Sequence, residues 1–237
     1  MTEAQHRPAS TDPHRILVID IGGSHLKIAA HDHDTVRIPS GPAFTAGQMV
    51  KAAKKATKGW EYDVISVGYP GVVVHNRPIR EPAHLGSGWV GFDYAKAFGC
   101  DLRMLNDAAM QALGNYERGR MLFLGLGTGL GSALIVEGII EPMELGHLPY
   151  RKDRTYDAYI GQEGLERLGR SKWEAHVHKV IALFAAALQP DDIVIGGGNA
   201  SLLKKRPKQT RVSDNEKAIL GGIRMWQSGF GMLAQHR

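Results

Sequence analysis

The chain has 237 residues, 43% of them hydrophobic and 22% charged, with a formal net charge of +5. Such a length and balance suit one large globular domain or two modest ones, with a substantial buried core. The longest strongly apolar run, residues 181–188, is far short of the roughly 20 residues that a membrane span needs. Residues 1–13 are polar, lack a hydrophobic signal core and are expected to form a disordered leader. Cys100 is the single cysteine, which excludes an intrachain disulfide and a cysteine-based zinc site. A cytoplasmic protein is the plain expectation. The positive charge favours an anionic ligand. The clusters Lys51, Lys54, Lys55, Lys58 and Lys204, Lys205, Arg206, Lys208, Arg211 read first as solvated faces. No aromatic residues interleave with them, so nucleic acid is not suggested.

In chain order, residues 15–30 read as a hairpin whose first strand runs into Asp20-Ile-Gly-Gly-Ser24. Residues 45–58 have helix-forming composition, a cap at Thr45 and a stop at Gly59. Residues 63–70 read as a buried strand ending in a Pro-Gly turn, followed by a short strand at 72–74. Residues 76–93 form a loop, 102–105 a strand and 106–118 a helix. Residues 121–137 make a second glycine hairpin, and a polar loop is expected through 154. Residues 172–188 carry Trp173, Val177, Val180, Ile181, Phe184 and Leu188 at helical spacing, a core-facing stripe. Residues 192–198 are a strand and a triple-glycine turn. A closing helix is expected over 215–237, interrupted by Gly221 and Gly222.

The second hairpin, Gly125-Leu-Gly-Thr-Gly-Leu-Gly-Ser132, is the most informative segment. Glycine adopts positive φ cheaply, so such a turn can bring backbone N–H groups close to an anion. Shifting the chain by 105 positions lays Gly22 on Gly127, which suggests a duplicated fold holding a polyphosphate between its halves. Neither turn is a P-loop or a dinucleotide fingerprint, because strands rather than helices follow. Ordinary β-turns use glycine too, so three further features carry weight. Asp20 beside a phosphate cradle calls for an intervening cation, such as Mg²⁺ held through water; a plain strand-end Asp is the alternative. Asp107, after Asn106 at a strand–helix junction, suits a general base on an attacking hydroxyl, although on local sequence alone it reads first as a helix cap. Glu144-Leu-Gly-His147 could converge on vicinal hydroxyls, or His147 could be structural.

These motifs, in this order over residues 15 to about 200, resemble the ROK family of sugar kinases, most closely its short polyphosphate/ATP glucokinase branch. Tyr69-Pro-Gly-Val-Val73 and Gly196-Gly-Gly198 complete the match. The resemblance implies an α/β, actin/Hsp70/hexokinase-like (ribonuclease H-like) fold of two duplicated lobes around a central cleft. The lobes would be residues 14–106, joined by the closing helix, and 107–214. It further implies Asp107 as base, with Gly22, Gly23, Ser24, Lys27, Gly127, Thr128 and Gly129 on the phosphates. Gly196, Gly197 and Gly198 would lie on the nucleotide or polyphosphate side, with the Lys204 to Arg211 cluster near a path for an extended anion. Asn106, Glu144, His147, Asp157 and His84 would line the sugar pocket. Mg²⁺, a donor that is ATP or polyphosphate, no zinc, and a homodimer are implied as well.

Two departures touch the sugar contacts. His84 stands where the glucokinase pattern has Asn, and Asp157 where Glu is usual, so the phosphoryl chemistry is better specified than the sugar. Glucose is the first expectation. Two rivals are a catalytically silent sugar-binding regulator and an Hsp70-like ATPase without a sugar substrate. Retention of Asp107 speaks against the first, as does a leader of thirteen residues, too short for a DNA-binding domain. Glu144-Leu-Gly-His147 speaks against the second.

Overall fold

A computed structural model describes residues 15–214, 216–227 and 230–232. The expected leader therefore lies outside the described residues. The first half builds β1 (Ile16–Ile21), β2 (His25–Ala30), β3 (His33–Pro39), α1 (Ala46–Ala56) and β4 (Val64–Tyr69). A two-strand hairpin of β5 (Val73–Val74) and β6 (Arg77–Pro78) follows, then α2 (Tyr94–Phe98), β7 (Asp101–Asn106) and α3 (Asp107–Asn115). The second half opens with β8 (Arg120–Leu126), β9 (Leu130–Val136) and β10 (Ile139–Met143). Then come the small hairpin β11 (Pro149–Arg151) and β12 (Arg154–Thr155), and helices α4 (Asp157–Ile160), α5 (Gln162–Leu168) and α6 (Arg170–Leu188). The chain closes with β13 (Asp192–Gly196), β14 (Thr210–Val212), α7 (Lys217–Arg224) and β15 (Gly231–Met232).

The two large sheets have one topology. The first runs β3-β2-β1-β4-β7; the second runs β10-β9-β8-β13-β14, with β15 added beyond β10. In each, an antiparallel three-strand meander lies beside strands paired in parallel. The third meander strands, β3 and β10, were not expected from the sequence. Both are mostly exposed, so they lack the apolar run that marks a buried strand.

Strand alternation sorts side chains into three layers. Leu17 and Ile19 of β1 pack outward with Met49 of α1 and Trp89, whereas Val18 faces the middle layer with Met110 and Leu113 of α3. In β8, Leu122 and Leu124 face Trp173, Val177 and Phe184 of α6, while Met121 and Phe123 join the middle layer. The stripe expected on residues 172–188 thus packs into the outer core of the second half. Thr45 caps α1 as expected, and Gln48 reciprocates in a capping box.

Helices α3 and α7 cross in the middle layer. A Cβ on Gly114 would lie 1.7 Å from the Lys217 carbonyl oxygen, and one on Gly221 would lie 1.8 Å from that of Met110. Only glycine allows the two backbones to approach this closely. The glycines at 221 and 222 therefore do not interrupt the closing helix; they make its packing possible. The helix is also shorter than expected: it ends at Arg224, and Gly231–Met232 is a strand on β10. Residues 215, 228, 229 and 233–237 lie outside the described residues. No helix among the described residues is long and apolar enough to cross a membrane.

Candidate active site

A cavity of about 460 Å³ opens between the two sheets, where the glycine turns β1–β2 and β8–β9 face the N-terminus of α3. Gly22, Gly23 and Lys27 line it from the first turn, and Gly127, Thr128 and Gly129 from the second. Asp20, Asn106, Asp107, His84, Glu144, His147, Asp157, Gly197 and Gly198 also line it. Segments up to about 180 residues apart in the chain thus meet at one place. Two expected residues do not line it. Ser24 is exposed and uses its carbonyl to bind the Ser40 N–H at 2.9 Å. Gly196 is buried behind the wall, against Phe123.

In the first turn, Asp20 lies on the same face of β1 as Val18, toward the middle layer, with Lys27 opposite it on β2. Lys27 Nζ and Asp20 Oδ2 are 3.0 Å apart. The charge of Asp20 is thus offset in part by the protein itself. Gly22 N–H is spent on the His25 carbonyl at 3.0 Å, while Ser40 Oγ donates to the Gly22 carbonyl at 2.7 Å. These bonds fix the bend.

The second turn is held from outside. Asp157 Oδ1 accepts from Leu130 N–H at 2.6 Å. Asn199 Nδ2 donates to the Gly127 carbonyl at 3.2 Å, and Gln162 N–H to that of Thr128 at 3.0 Å. Asp157 Oδ2 also lies 4.0 Å from His147 Nε2, whose other ring nitrogen is 3.7 Å from Glu144 Oε2. His147 therefore stands between two carboxylates. Glu144 is pushed above its ordinary pKa mainly by burial; His147 and Arg80 oppose the rise and Asp157 adds to it.

At the head of α3 the two candidate cap residues divide the work. Asn106 is the N-cap: its Oδ1 accepts from Ala109 N–H at 3.1 Å, and its Nδ2 donates to the Gly71 carbonyl at 3.1 Å. Asp107 is left facing the cavity, with Oδ1 on the Ala108 N–H at 2.8 Å. Burial pushes its pKa up to about 7, helped by the negative charge of Asp20 and less by Glu144, against the Ala108 N–H. A carboxyl titrating near neutrality can accept a proton from a bound hydroxyl.

Among the described residues no cluster of three or more His, Cys, Asp or Glu side chains could hold a metal ion. A magnesium ion needs less from the protein, because it usually rides on substrate phosphates with one or two carboxylates and several waters. Asp20 fits that pattern: Oδ2 pairs with Lys27, and Oδ1 would hold such an ion through water.

Three polar wall residues were not expected from the sequence. Arg80 and Glu81 come from the loop before His84. Glu81 ties that loop by accepting from Trp89 and Val90 N–H, both at 3.1 Å. Gln111 lies one helical turn after Asp107; its i+4 spacing from Asp107 was the available signal. The basic cluster 204–211 does not line the cavity, and Arg211 is spent on Asp192, with Nε to Oδ2 at 2.8 Å, and on the Asn115 carbonyl.

No model of a known protein family matches the chain. It is 27% identical over 249 residues to the polyphosphate glucokinase of Mycobacterium tuberculosis (strain CDC 1551 / Oshkosh), covering 92% of this chain and 89% of that protein. Its fold matches the inorganic polyphosphate/ATP-glucomannokinase from Arthrobacter sp. strain KM with a TM-score of 0.74, at 23% identity, over 89% of this chain and 97% of that one. The ROK family glucokinase from Streptomyces griseus, solved with glucose and AMPPNP, matches with a TM-score of 0.69 at 16% identity, over 89% and 98% of the two chains. By sequence the chain is similar to polyphosphate glucokinases, and by fold it is similar to solved kinases that include a ROK family glucokinase.

Proposed function

We propose that this sugar kinase moves the terminal phosphoryl group of ATP or polyphosphate to a hexose hydroxyl, with glucose to glucose 6-phosphate as the first reaction to test. The observation that carries the reading is Asp107, poised near neutrality in a cavity walled by both glycine turns. Asp107 would take the proton of the acceptor hydroxyl as its oxygen attacks the terminal phosphorus. The bond from that phosphorus to the bridging oxygen breaks, and ADP or a shortened polyphosphate leaves.

The turn residues Gly22, Gly23, Gly127, Thr128 and Gly129, with Lys27, would hold the donor, mostly through positioning and electrostatics. Asp20 would hold Mg²⁺ through water, and that ion would offset donor charge. Glu144, His147, Asp157 and His84 would face the acceptor; Asn106 keeps one amide hydrogen for it after capping α3. A homodimer follows the same family resemblance. A coupled assay offering several hexoses with either donor tests the reading. Absence of transfer to every hexose, with both donors, would end it.

A further inference from the structure

We infer that Gln111 is a donor-side contact whose side-chain amide donates to a phosphoryl oxygen in the part of the donor that is not transferred. The inference rests on the phosphotransfer reading and deepens it.

Gln111 follows Asp107 by four positions on α3, so the two share a helix face about 6 Å apart. Both line the same cavity. Gln111 Nε2 lies 3.3 Å from the position a Cβ would take on Gly196, which places the amide against the end of β13. Gly197 and Gly198, the next residues, belong to the cavity wall. The acceptor-facing pair Glu144 and His147 follows β10, which is separated from β13 by β8 and β9 in the second sheet.

The chemistry of Gln111 is unspent. Its backbone carbonyl accepts from Asn115 Nδ2 at 2.8 Å, but its half-buried side-chain amide has no hydrogen-bond partner among the described residues. An amide offers two donors, and a half-buried one without partners loses hydration unless a ligand replaces the water. Phosphoryl oxygens accept such bonds. A neutral donor also suits this wall, since Lys27 already contributes its charge to Asp20. Phosphoryl oxygens are common to ATP and polyphosphate, so both donors should use the contact.

The test compares wild type with Q111A and Q111E, after heat denaturation shows that each variant is folded. Donor KM is measured for ATP and for polyphosphate at saturating glucose, and glucose KM at saturating donor. Calorimetric titration with tripolyphosphate gives binding independent of turnover. Q111E should raise both donor KM values at least tenfold and weaken tripolyphosphate binding to match, with glucose KM unchanged within twofold. Q111A should raise donor KM about threefold or more. A change in glucose KM without a change in donor KM would overturn the inference, as would an effect on ATP alone, which would indicate a nucleoside contact. If glucose is not phosphorylated but Q111E still weakens tripolyphosphate binding, the acceptor reading fails while the contact stands. Wild-type protein that binds neither donor sinks both.

Discussion

The two glycine turns occupy equivalent places in duplicated sheets, yet they are stabilised in opposite ways. The first is largely self-sufficient: Asp20 and Lys27 face each other across its own hairpin, and Ser40 of the segment just after β3 closes the bend. The second has no charge of its own and is tied by Asp157, Gln162 and Asn199, all from later in the chain. Duplication has kept the backbone device and let its supports diverge. The first turn carries charge into the cleft, while the second is joined through Asp157 to the surroundings of His147.

The largest effect should come from the residue both turns serve. Asp107→Asn should lower kcat at least about a hundredfold, since a positioned base contributes 10²–10⁴-fold; a drop below tenfold would remove Asp107 from that role. In the wild type, kcat/KM should fall as the pH is lowered through about 7, as Asp107 takes up its proton. Stability should run the other way. The folded protein holds this proton more tightly than the unfolded chain, whose carboxyl titrates near the ordinary value of 3.8. The folded state then binds more protons between those pH values, so stability falls as pH rises from about 4 to about 7. The Asn variant, inactive but free of this penalty, should melt at a higher temperature than wild type at pH 8.

Breaking the support of the second turn comes next. Asp157→Ala leaves the Leu130 N–H without its acceptor, a loss of about 1–3 kcal/mol, so kcat/KM should drop roughly tenfold at about 1.4 kcal/mol per decade. If the turn couples the two sides of the cleft, KM for donor and for sugar should both rise. A change confined to the donor would show the second turn to be as self-contained as the first. Lys27→Met should act on the donor alone, raising its KM several-fold while sugar KM holds. The mildest break is Ser40→Ala, which costs about 0.5–1.5 kcal/mol for one hydrogen bond. That should lower Tm by a few degrees and leave the second turn, read through sugar KM, untouched.

Much of this molecule was legible in its sequence. The buried strands announced themselves as apolar runs, the Thr45 cap as a helix start, and the order of short motifs as a family resemblance, because each depends on neighbours along the chain. Strands β3 and β10 were not legible, since a mostly exposed strand is held by its ladder rather than by its own apolar pattern. The extent of the closing helix was misread for a related reason. Gly221 and Gly222 look like breakers locally, and only the crossing with α3 shows why glycine is needed there.

The site divides along the same line. The sequence by itself determined which groups are available: two anion-sized turns, a carboxylate after Asn106 and a Glu-x-Gly-His pair. Tertiary structure decided how they are used. Asn106 became the cap and freed Asp107, Lys27 was bound to Asp20, Asp157 was enlisted to hold a distant turn, and Gln111 was set against β13 with its amide unspent. Burial and pairing are properties of the folded surroundings, so a list of residues does not contain them. The shift of Asp107 toward neutrality, caused by burial and by Asp20 from a strand far earlier in the chain, arises only once the chain has closed on itself.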